Sequence, residues 1–264
     1  MDPATPEPRP PSLARAVMIV LPAFVILPLV GRFSGVEYDV IADTTANLLH
    51  GVVPMVAISL VWGLLMAWRS GWLKPIFAQQ PPSAFPKFFW LIPACWIGMC
   101  LIRVVASPWP SFDATYIMVL AVAMIMVGFN EELLFRGIVA YGARGPGPWS
   151  EARTMLVSSL GFGLFHLPNV LVGQALGPTL IQVGYAFFMG IALFVSMRIA
   201  RSILLPVALH ALWDFSTFTS KGHPPDTAGS LASFVLLVII LILILVAIAW
   251  SLGKKRQPVL PSCT

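Results

Sequence analysis

Charged side chains are what this sequence has least of. Only 10% of its 264 residues are Asp, Glu, Lys or Arg, and 58% are apolar. Soluble domains carry about 25% charge, so this chain cannot clothe a water-facing surface. A soluble globular domain, a disordered chain and a nucleic-acid module are excluded together. Cysteine is nearly as scarce, and three residues make no disulfide framework. Cys95 and Cys100 lie inside an apolar stretch and read as small hydrophobes, with Cys263 in the tail. Long polar connections are missing too. The longest, about 69–87, contains Pro81, Pro82 and Pro86 and leaves no room for a soluble domain.

What the sequence has instead is long hydrophobic runs and a mean hydropathy of +0.87. A helix needs about 20 largely apolar residues to cross a bilayer. Eight segments qualify, at roughly 14–32, 46–68, 88–106, 115–141, 154–172, 178–199, 202–219 and 230–252. The expected fold is therefore all-α, a polytopic integral membrane protein forming one transmembrane domain over 14–252. A Pro-rich unstructured tail, 1–13, precedes it and a short tail, 253–264, follows. The first span is long and lacks a small-residue cleavage site, so it is read as retained rather than as a signal peptide.

The placement of charge gives an orientation. With the N-terminus in the cytoplasm, cytoplasmic segments hold thirteen basic residues: Arg9, Arg15, Arg69, Lys74, Lys87, Arg136, Arg144, Arg153, Arg198, Arg201, Lys254, Lys255 and Arg256. The other side holds three, Arg32, Arg103 and Lys221, together with Glu37, Asp39, Asp43, Asp113 and Asp226. This is a strong positive-inside bias, and it predicts both termini in the cytoplasm. The net charge of +5 then reports orientation and not an anionic partner.

A few ionisable residues remain inside the spans, where charge is costly and usually functional. The fourth span carries Asn130-Glu131-Glu132 and Arg136, the fifth Phe162 and His166, the seventh His210 and Asp214. Glu132/Arg136, Phe162/His166 and His210/Asp214 are each i,i+4, so each pair shares a helix face. Glu131 is rotated by about 100° from Glu132. At ~1.5 Å rise per residue, Glu131 lies about 15 Å from the cytoplasmic end of its span, His166 about 18 Å, and His210 and Asp214 about 12 and 18 Å. The agreement in depth predicts one polar chamber between helices 4, 5 and 7, in the cytoplasmic half.

No Ser or Cys with an obvious partner offers a nucleophile there. Carboxylates and imidazoles suit activation of water for attack on a carbonyl, with an imidazole hydrogen-bonding the developing oxyanion. Other readings of the same residues stay open. Glu132 and Arg136 can form a purely structural ion pair, and the histidines can be interhelical hydrogen bonds. A Glu and two His can ligate zinc, although no His-Glu-x-x-His is present. A proton-relaying transporter is a further alternative, without a visible inverted repeat. Phe162 reads as packing, Asn130 as a satellite polar group, and Arg103 as a snorkelling side chain. Gly145-Pro146-Gly147-Pro148 makes a stiff loop that could border substrate access.

Glu-Glu-x-x-x-Arg, Phe-x-x-x-His and His-x-x-x-Asp, in order and each on its own span, resemble the CAAX prenyl protease type II and bacteriocin-processing family of intramembrane glutamate proteases. The family includes the Ras-converting endopeptidases and the bacterial Abi-type proteins. The motifs cover 131 to 214, and the first three spans carry no signature of it. The resemblance implies that Glu131 activates water with help from His166. It implies that Glu132 and Arg136 hold Glu131 and shape the chamber, and that His210 and Asp214 stabilise the oxyanion. Family members that process prenylated substrates commonly have Asn where this chain has Asp214. An ionised Asp cannot donate a hydrogen bond, so Asp214 would act either protonated or by charging His210. The implied activity is metal-independent cleavage, without a cofactor, of a membrane-associated or lipidated peptide. The alternative within such families is a non-catalytic binding or immunity protein. Neither the substrate nor an oligomeric state can be read from the residues; the short chain, without added domains, suggests a bacterial inner membrane.

Overall fold

A chain this apolar has one local solution in lipid. With no water to bond backbone N–H and C=O groups, each span must satisfy them internally, and a helix does so. The computed structural model describes residues 9–258, and among them there is no strand, only a single bridge between Trp149 and Gln257. The helices are α1 (Leu13–Ser34), α2 (Thr45–Arg69), α3 (Lys87–Ala106), α4 (Ala114–Arg144), α5 (Glu151–Val172), α6 (Leu176–Ala200), α7 (Leu204–Thr219) and α8 (Thr227–Leu252). All but α7 are long and apolar enough to cross a membrane. Their starts follow short polar side chains that accept from the first-turn amides, as N-caps do. Ser12, Thr44, Asp113, Ser150 and Asp226 cap α1, α2, α4, α5 and α8.

The expectation of eight full spans is corrected at α7. It has 16 residues, about 24 Å of rise against ~30 Å of hydrocarbon. It runs parallel to the second half of α3. Trp96 Nε1 donates to the Leu209 carbonyl at 3.0 Å, Arg103 to Thr217 Oγ1 at 3.3 Å and Ser107 to Thr219 Oγ1 at 3.0 Å. A short helix serves because α7 is packed inside the bundle. Arg103 does not snorkel; its guanidinium lies 3.9 Å from the centre of the Trp213 ring. By contrast α8 turns Leu231, Phe234, Ile242 and Leu245 outward, a face that only lipid or another apolar surface can cover.

Two ends of the bundle can be told apart by their contacts. At one, Arg9 N–H donates to Ser70 O, Gln80 N–H to Arg201 O, and Trp250 Nε1 to Ala84 O. At the other, Tyr116 donates to Ala42 O, Lys221 pairs with Asp43, and Gln182 reaches Tyr38. The first end bears most of the basic residues and is called the basic face; the second is the acidic face. Of the predicted tail 1–13, residues 1–8 lie outside the described residues, whereas Arg9 is hydrogen-bonded to Ser70 and Trp72. Residues 259–264, including Cys263, also lie outside them.

Glycines set the closest helix contacts. A Cβ on Gly128 of α4 would stand 3.0 Å from both Ala211 N and Val207 O of α7. On Gly163 of α5 it would stand 2.8 Å from Val183 O of α6. Backbone cannot yield as a side chain can, so these positions let α4, α5, α6 and α7 approach as small residues do in membrane bundles.

Candidate active site

The Glu-Glu motif ends the α-helical part of α4. From Leu133 to Val139 the helix widens into π-helical turns, a departure that often accompanies functional sites. Every residue from Asn130 to Ala140 is buried. Glu132 and Arg136 lie across this junction, and Arg136 Nη1 donates to Glu132 Oε1 at 2.8 Å with both side chains wholly buried. The same oxygen meets His210 Nδ1 of α7 at 2.9 Å. A carboxylate only accepts when ionised, so Nδ1 carries the proton. Thus Glu132 clamps α7 to α4.

The other imidazole nitrogen of His210 faces two more carboxylates. Nε2 lies 3.5 Å from Asp214 Oδ2 and 3.9 Å from Glu131 Oε2. Glu131 Oε2 is buried and has no hydrogen-bond partner among the described residues. The ring of Phe162 sits among these groups. The Arg136 guanidinium is 4.2 Å from its centre, a cation–π contact, and the rings of His166 and His210 meet it edge-on at 5.3 and 5.5 Å. Phe162 is therefore packing with a position to hold: it spaces the two histidines.

His166 is placed by a break in α5. The α-helical part stops at Leu164, and from Leu167 the chain continues as a 3-10 helix. Pro168 lacks an N–H and disfavours α-helix before it. His166 thus leaves the regular span that 154–172 predicts, while its i,i+4 relation to Phe162 survives in another form. Nδ1 lies 3.0 Å from the Phe162 carbonyl. A carbonyl cannot donate, so Nδ1 holds the proton and Nε2 keeps its lone pair.

A cavity of about 710 Å³ joins the motifs, with Glu131, His166, His210 and Asp214 on its wall. Glu132 and Arg136 do not line it; they stand behind. Glu131 is about 20 Å along α4 from Arg144 and about 25 Å from Ala114, so the cavity floor is near mid-membrane. From there the cavity runs to Tyr38, Asp39 and Lys221, at the acidic face. The floor thus lies slightly nearer the basic end of α4, close to the expected depth, while the open part of the cavity extends toward the acidic face. Gly145-Pro146-Gly147-Pro148 does not border it; that loop leads into the Trp149–Gln257 bridge at the basic face.

The basic face is plugged by a second polar network. Arg198 donates to both oxygens of Glu151 at 2.7–3.1 Å and to the carbonyls of Pro81 and Pro82. Arg144 donates to Gln80 and covers the Trp149 ring at 4.6 Å. Arg136, Arg144 and Arg198, three of the thirteen basic residues assigned to cytoplasmic segments, are consequently buried.

The sequence reading missed one group on the cavity wall. Asn169 donates to Gln182 at 3.0 Å, and Gln182 Nε2 donates to the Tyr38 hydroxyl at 2.7 Å. Burial pushes the Tyr38 hydroxyl up to about 12, so the phenol stays a donor. Gln182 was the available signal, an amide alone in an apolar span. Asn130 accepts from Ser59 of α2 at 3.0 Å and ties α2 to the motif. No group of three or more His, Cys, Asp or Glu is placed to hold a metal ion among the described residues.

Residues 113–216, from the cap of α4 through most of α7, match the family model described as type II CAAX prenyl endopeptidase Rce1-like. This stretch is similar to Rce1-like endopeptidases. It contains all six motif residues and the cavity floor. At the level of the family the match supports a CAAX-protease-like intramembrane endopeptidase, a lipid bilayer environment and a peptide or protein substrate. No curated protein matches the chain.

Proposed function

We propose that the protein hydrolyses a peptide bond of a membrane-associated substrate, with Glu131 as the base that activates water. The observation that carries this reading is the unpartnered Glu131 Oε2 on the wall of a largely apolar cavity, beside His210. A buried acceptor without a donor is costly and suits a group that must receive a proton during reaction. His166, with its Nε2 lone pair, faces the same cavity and assists in orienting water. As the water oxygen bonds to the carbonyl carbon, its proton passes to Glu131 and the carbonyl oxygen becomes an oxyanion. Glu131 then returns the proton to the departing nitrogen as the C–N bond breaks.

His210 is the oxyanion donor in this scheme. With Glu132 on Nδ1 and two carboxylates near Nε2, both ring nitrogens face acceptors, and the imidazolium satisfies both. Asp214 would thereby act by supporting a charged His210 rather than by donating itself. Glu132 and Arg136 are positioning residues that fix the imidazole.

The test is cleavage of a panel of hydrophobic and lipidated peptides by purified protein. Glu131→Gln, equal in size, should abolish turnover and leave helicity and detergent stability as in the wild type. Full turnover by Glu131→Gln would reject the glutamate base. The same assay under strong chelation should be unchanged; loss of activity restored by zinc would favour the metalloprotease alternative. A wild-type protein that binds peptides and cleaves none would favour a binding role.

A further inference from the structure

We infer that the substrate reaches this site from the extracytoplasmic side, so that the protein acts on polypeptide segments exposed outside the cytoplasmic compartment. The inference rests on reading the cavity as the active site and adds the side it serves.

Three independent observations carry it. The first is the location of the cavity. Its lining comes from the acidic-face halves of the helices: the C-terminal half of α1, the start of α2, the end of α5, the start of α6 and the end of α7. Its outermost polar residues are Asp39 and Lys221, both exposed. The second is closure at the other end. Between Glu131 and the basic face lie the π-helical turns of α4, wholly buried, and then the Arg198–Glu151 and Arg144–Gln80 network. A peptide coming from the basic face would have to break buried, charge-assisted hydrogen bonds, whereas at the acidic face it meets the solvent-exposed contacts of Lys221 with Asp39 and Asp43.

The third is the distribution of exposed charge, sharper in the structure than in the chain. Once the buried arginines are set aside, Arg9, Arg69, Lys74, Lys87, Arg153 and the Lys254–Arg256 run remain exposed at the basic face. Among the described residues no exposed carboxylate accompanies them; all five exposed acids, Glu37, Asp39, Asp43, Asp113 and Asp226, are at the other face. Lysine and arginine are enriched on the cytoplasmic side of a bilayer, and among the described residues only Arg32 and Lys221 are exposed at the acidic face. The basic face is then cytoplasmic and the mouth at Asp39 and Lys221 is outside.

Accessibility labelling tests this without any need for activity. Asp39→Cys and Thr217→Cys at the cavity, and Arg153→Cys at the basic face, are exposed positions; of the three, Thr217→Cys gives up a hydrogen bond from Arg103. Each is made in a background with Cys95, Cys100 and Cys263 replaced. If that background does not fold, a Cys263→Ser variant supplies the labelling baseline, because Cys95 and Cys100 are buried. A membrane-impermeant maleimide applied to intact bacterial cells should label Asp39→Cys and Thr217→Cys, and label Arg153→Cys only after permeabilisation. The reverse pattern, or equal labelling of both faces in intact cells, overturns the inference. Labelling as expected in a protein that cleaves nothing would leave the sidedness standing and reject the protease reading alone.

Discussion

Removing Arg136 should destabilise the protein more than any exposed substitution, and the geometry sets the size. Its guanidinium is wholly buried, bonds Glu132 at 2.8 Å and lies over Phe162. Arg136→Met keeps most of the side-chain volume and leaves Glu132 with His210 as its one hydrogen-bonded partner. Breaking a buried pair from one side costs about 3–5 kcal/mol, because the remaining charge is stranded. At ~1.4 kcal/mol per decade this lowers the folding equilibrium by roughly 10² to 10³·⁵. Glu132→Gln should cost a comparable amount by stranding the arginine. The double variant Glu132→Gln/Arg136→Met strands neither charge, so it should be less destabilised than the sum of the singles by about 2–3 kcal/mol. Reversible unfolding in mixed micelles of rising dodecyl sulfate content, followed by tryptophan fluorescence, measures all four corners of the cycle. Single costs below about 1 kcal/mol, or additivity within ~0.5 kcal/mol, would refute a clamp made by this pair.

Other outcomes follow from the same contacts. Gly128→Ala puts a Cβ 3.0 Å from α7 backbone; it should cost about 1–3 kcal/mol of stability and lower turnover roughly 10²-fold by displacing His210 from Glu132, and unaltered kinetics would dismiss the close approach as irrelevant to the site. Asp214→Asn should stay within about tenfold of wild-type kcat, since an amide can donate to the oxyanion directly, whereas Asp214→Leu should lose about 10²–10³-fold. Equal losses in the two would show that charge at 214 is itself required. Tyr38→Phe should lower kcat/KM about tenfold, the worth of one hydrogen bond. Because the Tyr38 hydroxyl is held at about 12, above the usual ~10, it remains protonated across the assay range, and its loss should not shift the pH–rate profile below about pH 11. A shifted alkaline limb would contradict that.

Much of the site was legible because charge is so costly in a bilayer. Glu131, Glu132, His166, His210 and Asp214 stand out against apolar spans, and i,i+4 spacing placed Glu132 with Arg136 and His210 with Asp214 correctly. Spacing was blind to the clamp between Glu132 and His210, which are 78 residues apart. It also did not foresee that α5 breaks beside His166, although Pro168 marks the place. Tyr38 escaped notice because it lies in a connection, where one tyrosine carries no signal until Gln182 is packed against it.

By itself the sequence determined that the protein is a helical membrane protein, how its charge is divided between two faces, and which ionisable residues lie within the spans. These are properties of local composition: hydrocarbon demands internally bonded helices, and it admits charge only for a reason. Tertiary structure alone decided which carboxylate faces the cavity and which stands behind it, because adjacent residues differ only by rotation about a helix whose neighbours the chain does not name. It also decided where the cavity opens. The motifs fix the depth of the floor, but the way out depends on which end is filled, and Arg198, Glu151, Arg144 and Gln80 meet only when four distant segments pack together.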